Sequence, residues 1–361
     1  MMLKRKNTKK IMVGNIQIGN QDKVIMQSMT NTKTHDVVRT VKQINDLVRE
    51  GADIVRVAIL DDKDAQALKD IIKLVKCPIV ADIHFNHMLA IEAIKNGAAK
   101  IRLNPGNIKN EEELTKILDL ANKKNVVIRV GVNSGSLPLD LVKKYGVCSK
   151  AMIIAADRYI KLFEKHNFTN IVVSLKATDT LLAIDVYEKA AKKFIYPLHL
   201  GITESGSITS GTIKSSVGLG AILAKGIGDT IRVSLTGDPV EEIKVCKKIL
   251  NTLGLYPNLV DIISCPTCGR LNFDLEAVVK DIEEYTKEIK MPLKVAILGC
   301  AVNGPGEAKE ADIGIAGGNK SGIIFENGKV IRSVPEKDLV IELKKMIDNK
   351  YKEFLEKQKG K

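Results

Sequence analysis

HDVVRTVKQINDLVREGADIVRVAILDDKDAQALKDIIKLVKCPIVADI, residues His35 to Ile83, decides the fold. Two segments with apolar residues at three- and four-residue spacing, HDVVRTVKQINDLVREG and DKDAQALKDIIKLVK, alternate with two short β-branched runs, IVRVAI and PIVADI, as helix alternates with strand. The same texture extends in both directions. VIMQSM from Val24 precedes it, and KIRLN from Lys100, VIRVGV from Val127, NIVVSLK from Asn170, LHLGITES from Leu198 and TIRVSLT from Thr230 follow. Short connections of this kind imply parallel strands, and eight such units over ~250 residues predict a closed (β/α)8 TIM barrel within an α/β protein. An open dinucleotide-binding sheet is not expected, because no G-x-G-x-x-G follows the first strand.

The pattern changes after about Asn258. DIISCPTCGR, an amphipathic stretch expected to be helical from Leu271 to Lys290, the strand LKVAILGC, a glycine-rich segment and a hairpin turning at ENGK predict a smaller α+β domain. A last helical face begins at Glu336, carrying Leu339, Leu343, Met346, Ile347, Tyr351 and Phe354. The expected domains are a substrate-binding barrel over 1–257 and a metal-binding domain over 258–361.

Composition narrows the class. The chain has 361 residues, 45% hydrophobic and 27% charged, which excludes a disordered chain. Its longest unbroken apolar run, Ala151–Ala156, is far short of the ~20 residues that span a bilayer, and the basic start lacks an apolar stretch long enough for secretion. No membrane association and a cytoplasmic location are expected. The net charge of +13 invites a nucleic-acid reading, but aromatics are only 4% and much of the lysine lies on predicted helix faces. No nucleic acid is expected, and the positive charge suits an anionic small molecule instead.

Barrel chemistry gathers at the carboxyl ends of the strands. Arg56, Arg102, Arg129, Lys176 and Arg232 all fall within predicted strands, where an unpaired buried charge costs several kcal/mol. They outnumber the acids at comparable positions, chiefly Asp82 and Glu204, and so predict a cage for a phosphate or diphosphate. Neutral polar groups surround them: His84, Asn104, Asn133, Ser174, His199, Thr203 and Ser205. Glu204, beside the mouth among arginines, is the candidate acid–base group.

Cys265 and Cys268 of SCPTCGR stand two residues apart, and Cys300 returns at the end of a strand. Cys77, Cys148 and Cys246 show no ligand spacing and read as core residues. Three thiolates without a nearby histidine fit a 4Fe-4S cluster with one iron left for an oxygen ligand, and Glu307 of GCAVNGPGEA is the candidate for it. A structural zinc remains the competing reading on spacing alone.

SCPTCGR, GCAVNGPGEA, LGITESG, ADIHF, RLNPGN and QSMTN together resemble the 4-hydroxy-3-methylbut-2-enyl diphosphate synthase family, in its compact bacterial two-domain form. The resemblance spans nearly the whole chain. It implies an iron–sulfur oxidoreductase of the non-mevalonate (MEP) isoprenoid pathway that reductively opens 2-C-methyl-D-erythritol 2,4-cyclodiphosphate and expels a hydroxyl as water. On this chain it puts the cluster on Cys265, Cys268, Cys300 and Glu307. The diphosphate falls to Arg56, Arg102, Arg129, Lys176 and Arg232, with His84, Asn104, Asn133, Ser174, Thr203, Ser205 and Ser234 as polar neighbours. Glu204 matches a carboxylate assisting proton transfer, and Asn303 lies beside the cluster. The resemblance further implies a homodimer, in which one subunit's cluster domain covers its partner's barrel, and a flavodoxin or ferredoxin as electron donor. The alternative is a barrel enzyme for a phosphorylated or pterin-like ligand with a zinc-stabilised accessory domain and no redox role.

Overall fold

The computed structural model describes residues 3–83, 86–103, 110–300, 308–318 and 320–359. The chain divides into two compact units, Met1–Leu255 and Tyr256–Lys361. The first opens with a hairpin of β1 (Ile11–Val13) and β2 (Ile16–Ile18), followed by the eight barrel strands: β3 (Ile25–Met29), β4 (Ile54–Ala58), β5 (Ile79–Asp82), β6 (Lys100–Leu103), β7 (Val127–Asn133), β8 (Ile171–Lys176), β9 (His199–Leu200) and β10 (Thr230–Ile231). They pair in parallel in the order β8-β7-β6-β5-β4-β3-β10-β9, and a parallel bridge from Val173 to Leu198 brings the two ends together. The eight anticipated runs are thus the eight staves of a nearly closed barrel.

Local chemistry starts and stops the helices between them. Asp36, Asp61, Asn86, Asn110, Asp179, Ser207 and Asp238 each accept a backbone N–H at a helix start. Gly51 ends the first helix in the left-handed region, at φ 115°. Strands β9 and β10 are only two residues long, against the longer runs expected from LHLGITES and TIRVSLT. After Leu200 the chain leaves the ladder at Gly201, where a Cβ would sit 2.6 Å from Lys176 Nζ, and turns through Glu204 (φ 53°) and Gly206 (φ 102°).

The β1–β2 hairpin is the element that the helix–strand rhythm does not announce. Ile11, Val13 and Ile18 pack on Ile25, Ile54, Val80, Val127 and Val172, apolar side chains toward the amino ends of five barrel strands. The hairpin therefore plugs the floor of the barrel, opposite the carboxyl ends of the strands. Its turn at Gly14 (φ 58°) and Asn15 is a two-residue hairpin signal.

In the second unit, β11 (Val260–Ser264), β12 (Leu293–Leu298), β13 (Ile313–Gly317), β14 (Ser321–Glu326) and β15 (Lys329–Pro335) form one mixed sheet in sequence order. The first three are parallel and the last two antiparallel. Side chains alternate along β12: Val295 and Ile297 pack with the helices Leu275–Thr286 and Leu339–Lys359, while Ala296 and Leu298 pack with Ala311 and Phe325. The helix expected from Leu271 begins only at Leu275, capped by Asp274. Leu271 and Phe273 stay outside it because they lie against Gly299 and Gly317, where any Cβ would collide with them. The chain at Glu336–Asp338 is a single 3₁₀ turn, and the last helix starts at Leu339.

The fully buried Ile18 tests the floor plug. Ile18→Ala is expected to destabilise the barrel by about 2–5 kcal/mol, read as a lower urea midpoint for its unfolding.

Candidate active site

Side chains on one strand face alternate sides, so residues two apart share the barrel interior. Lys100 and Arg102 therefore lie on one face of β6. Arg102 stands level with Asp82 of β5 and Arg129 of β7, and Lys176 of β8 stands level with Asn133. Arg56, Asp82, Arg102, Arg129, Ser174 and Lys176 are all buried, and Arg232, just beyond β10, is half-buried. Gly131 and Gly201 make room. A Cβ on Gly131 would lie 3.3 Å from Ser174 Oγ and 3.4 Å from Arg102 Nε.

Two carboxylates serve this crowd. Asp82 lies between two guanidinium groups, with Oδ1 3.4 Å from Arg102 Nη1 and Oδ2 3.6 Å from Arg56 Nε. Glu242 reaches in from the helix Pro239–Thr252, 3.4 Å from Arg232 Nη2, and accepts a 2.7 Å hydrogen bond from Ser28 Oγ. The sequence reading named Glu204 rather than Glu242 as the second acid. Glu204 is exposed, and its Oε2 accepts from Thr178 Oγ1 at 3.0 Å. Glu242 was legible as a carboxylate on the apolar stripe Pro239, Ile243, Cys246 and Leu250.

The charge balance leaves the interior strongly positive. Burial, reinforced by mutual repulsion, pulls the pKa of Arg129 and Lys176 well down, and Arg56 is pushed down to about 10. Among the described residues, Arg129 Nε and Nη1 and Arg232 Nε find no hydrogen-bond partner. Buried donors in this state await an acceptor. The basic set also extends below the expected five: Lys100, fully buried, donates from Nζ to Gln27 Oε1 at 3.0 Å.

The other expected contacts divide. His199 is completely buried at the start of β9, with Nδ1 3.1 Å from Thr230 Oγ1 and Nε2 unpartnered among the described residues. Ser205 is buried and turned inward, donating to the Ile202 carbonyl at 3.2 Å and receiving Ser215 Oγ at 3.4 Å. Asn133, Thr203 and Ser234 are half-buried along the carboxyl ends of the strands. His84, Asn104, Asn303 and Glu307 lie outside the described residues.

In the second unit, Cys265 follows β11 and Cys300 closely follows β12, two neighbouring parallel strands that end on one side of the sheet. The Gly299 N–H donates to Cys265 Sγ at 3.2 Å, and Cys268 is exposed, its thiol pKa lowered by hydrogen bonds from Arg270. Three thiols make a soft donor set. A single tetrahedral ion with Zn–S near 2.3 Å needs sulfurs about 3.8 Å apart. The three thiols do not converge within 4.8 Å of one another; among the described residues only His35, Asp61 and Asp64 bring three such ligand atoms that close. That last group is a capping network, with Asp64 accepting from the backbone N–H of His35 and Leu60 and Asp61 accepting from that of Asp64. Cys246 is a buried core thiol, pushed up to about 12.

Residues 8–247 match the family described as GcpE TIM-barrel domain, and residues 261–349 match the GcpE protein C-terminal domain. Proteins named 4-hydroxy-3-methylbut-2-en-1-yl diphosphate synthase (flavodoxin) are similar over almost their full length. That of Malacoplasma penetrans is 68% identical, covering 99% of each chain, and that of Mycoplasmoides gallisepticum is 60% identical, covering 100% of each. That of Geobacillus thermodenitrificans is 53% identical, covering 100% of this chain and 96% of its own. Among solved structures, dihydropteroate synthase of Yersinia pestis matches with a TM-score of 0.50 at 11% identity, over 68% of this chain and 98% of that one, a likeness of fold alone. Full-length identity of this order, on top of a basic barrel and a three-cysteine domain, makes the chain a member of the GcpE family of 4-hydroxy-3-methylbut-2-en-1-yl diphosphate synthases.

Proposed function

We propose that this chain converts 2-C-methyl-D-erythritol 2,4-cyclodiphosphate to 4-hydroxy-3-methylbut-2-enyl diphosphate, a two-electron reductive ring opening with loss of water in isoprenoid precursor synthesis. The observation that carries the reading is the excess of buried cations over carboxylates inside the barrel, in a chain 68% identical to a protein of that name. Arg56, Arg102, Arg129, Lys176 and Arg232 grip the diphosphate, with Asn133, Ser174, His199, Thr203, Ser205 and Ser234 and the undescribed His84 and Asn104 around it. Guanidinium groups bind phosphate oxygens bidentately, and donors already in place hold the charge that grows on the phosphate as the ring oxygen departs. Asp82 keeps Arg56 and Arg102 aimed, and Glu242 does the same for Arg232.

Glu204 is the proposed proton donor to the departing hydroxyl. Thr178 occupies one of its carboxylate oxygens and leaves the other for substrate. Cys265, Cys268, Cys300 and Glu307 are the proposed ligands of a 4Fe-4S cluster, with Asn303 beside it. Three soft thiol donors and the N–H donated to Cys265 Sγ support this reading. When bound, such a cluster supplies electrons one at a time and a Lewis-acidic iron. A flavodoxin, as in the relatives' names, is the proposed donor, and a basic surface suits an acidic carrier. A cytoplasmic homodimer completes the proposal.

The direct test is anaerobic turnover of the cyclodiphosphate by the reconstituted protein with a chemical reductant. Formation of the open-chain diphosphate is expected, and a colourless zinc protein without turnover would overturn the reading. Cys300→Ser is expected to lose the visible absorption of the cluster and all turnover while still binding pyrophosphate. Glu204→Gln should keep the cluster and substrate affinity but lose turnover at least about 100-fold. Arg102→Met should weaken pyrophosphate binding about 10- to 100-fold, measured calorimetrically.

The depressed pKa values give a signed pH effect. With Lys100 and Lys176 below their ordinary 10.5 in the folded state, the unfolded chain binds more protons below that pH. Stability of the ligand-free barrel is therefore expected to fall as pH falls from 10.5 through the depressed values. An anion restores the charged forms, so binding in alkaline buffer should take up protons, seen by calorimetry in buffers of different ionisation heat.

A further inference from the structure

Lys100 belongs to none of the roles above, yet among the described residues of the barrel it is a cation with no accessible surface. It opens β6, and the alternation of the strand puts it on the inner face one layer below Arg102, about 6.6 Å along the chain. Among the described residues, the hydrogen-bond acceptor of its ammonium is Gln27 Oε1, at 3.0 Å, while Gln27 Nε2 has no partner. No carboxylate is its neighbour in register: Val80 and Val127 flank it on β5 and β7. Arg56 and Arg129 are close enough to repel it, and it in turn acts on His199. Asp82 and Glu242 are both committed to the arginines above.

A buried ammonium with one neutral acceptor, repelled from above, opposes folding. Its position gives it something to act on. The layer above is where the proposed diphosphate seats, and in a low-dielectric interior a charge one layer away still attracts it. We infer that Lys100 is a positioning residue of the anion cage, a second-tier cation that draws the diphosphate down onto Arg102 and Arg129 without touching it. The inference rests on the diphosphate reading above. It concerns affinity and seating.

The test uses full-length protein, inorganic pyrophosphate and the cyclodiphosphate, with Lys100→Met and, should that variant not fold, Lys100→Gln, which keeps an amide for Gln27. Arg102→Met is the control. Loss of the charge is expected to weaken pyrophosphate binding about tenfold and to raise KM with kcat within about twofold, while the ligand-free protein melts about 2–4 °C higher. A merely structural lysine would lower the melting temperature and leave affinity alone, and that result overturns the proposal. If Arg102→Met weakens binding and the Lys100 variants do not, Lys100 has no such role and the diphosphate reading stands. If neither the wild type nor any variant binds pyrophosphate or the cyclodiphosphate, the diphosphate reading itself falls.

Discussion

Uncompensated positive charge inside a closed barrel is the constraint to which the rest of this structure answers. Burying an ion costs several kcal/mol unless it is paired, and here Arg56, Arg102, Arg129, Lys100 and Lys176 are all buried, with Asp82 serving Arg56 and Arg102 and Glu242 serving Arg232. Such an arrangement persists only because a large apolar structure surrounds it. The floor of Ile11, Val13 and Ile18 with the inward valines and isoleucines of five strands supplies part of that support. Stability is given up at the site and recovered elsewhere, the usual exchange in a binding pocket whose partner carries the missing charge.

The irregular parts of the barrel follow from the same crowding. Gly131 and Gly201 face the cations, and a methyl group at Gly201 would overlap the Lys176 ammonium. The ladder breaks after Leu200, and the backbone turns through Glu204 in a left-handed conformation that costs a non-glycine residue about 1–3 kcal/mol. That turn sets the Glu204 carboxylate beside Thr178 on the exposed side of the loop, while Ser205 turns inward to Ser215. Neighbouring residues of TES thus have opposite environments.

The second unit reaches its cysteine arrangement by simpler means. Parallel strands end on the same side of a sheet, so two cysteines placed after β11 and β12 fall at the same end of the sheet without special geometry. Gly299 and Gly317 then let Leu271 and Phe273 pack down on the strand ends, which holds the segment after Cys268 against the sheet and delays the helix to Leu275. The antiparallel β14–β15 hairpin, turning through Asn327 and Gly328 at positive φ, extends the sheet on the side away from the cysteines.

The helix–strand rhythm, the eight staves, the five strand cations and the cysteine spacing were all present in the order of residues, because period and spacing are local properties. The hairpin floor, the early end of β9 and β10 and the late start of the Leu275 helix were not, because each depends on a side chain from a distant segment filling the available space. Glu242 and Lys100 show the division most clearly. Each carries a charge at an inward position that periodicity marks, but only barrel closure brings Glu242 to Arg232 and Lys100 to Gln27. The sequence by itself determined which residues face inward. The tertiary structure decided which of those charges meet a partner and which remain unpaired, since pairing is a matter of distance across a closed interior.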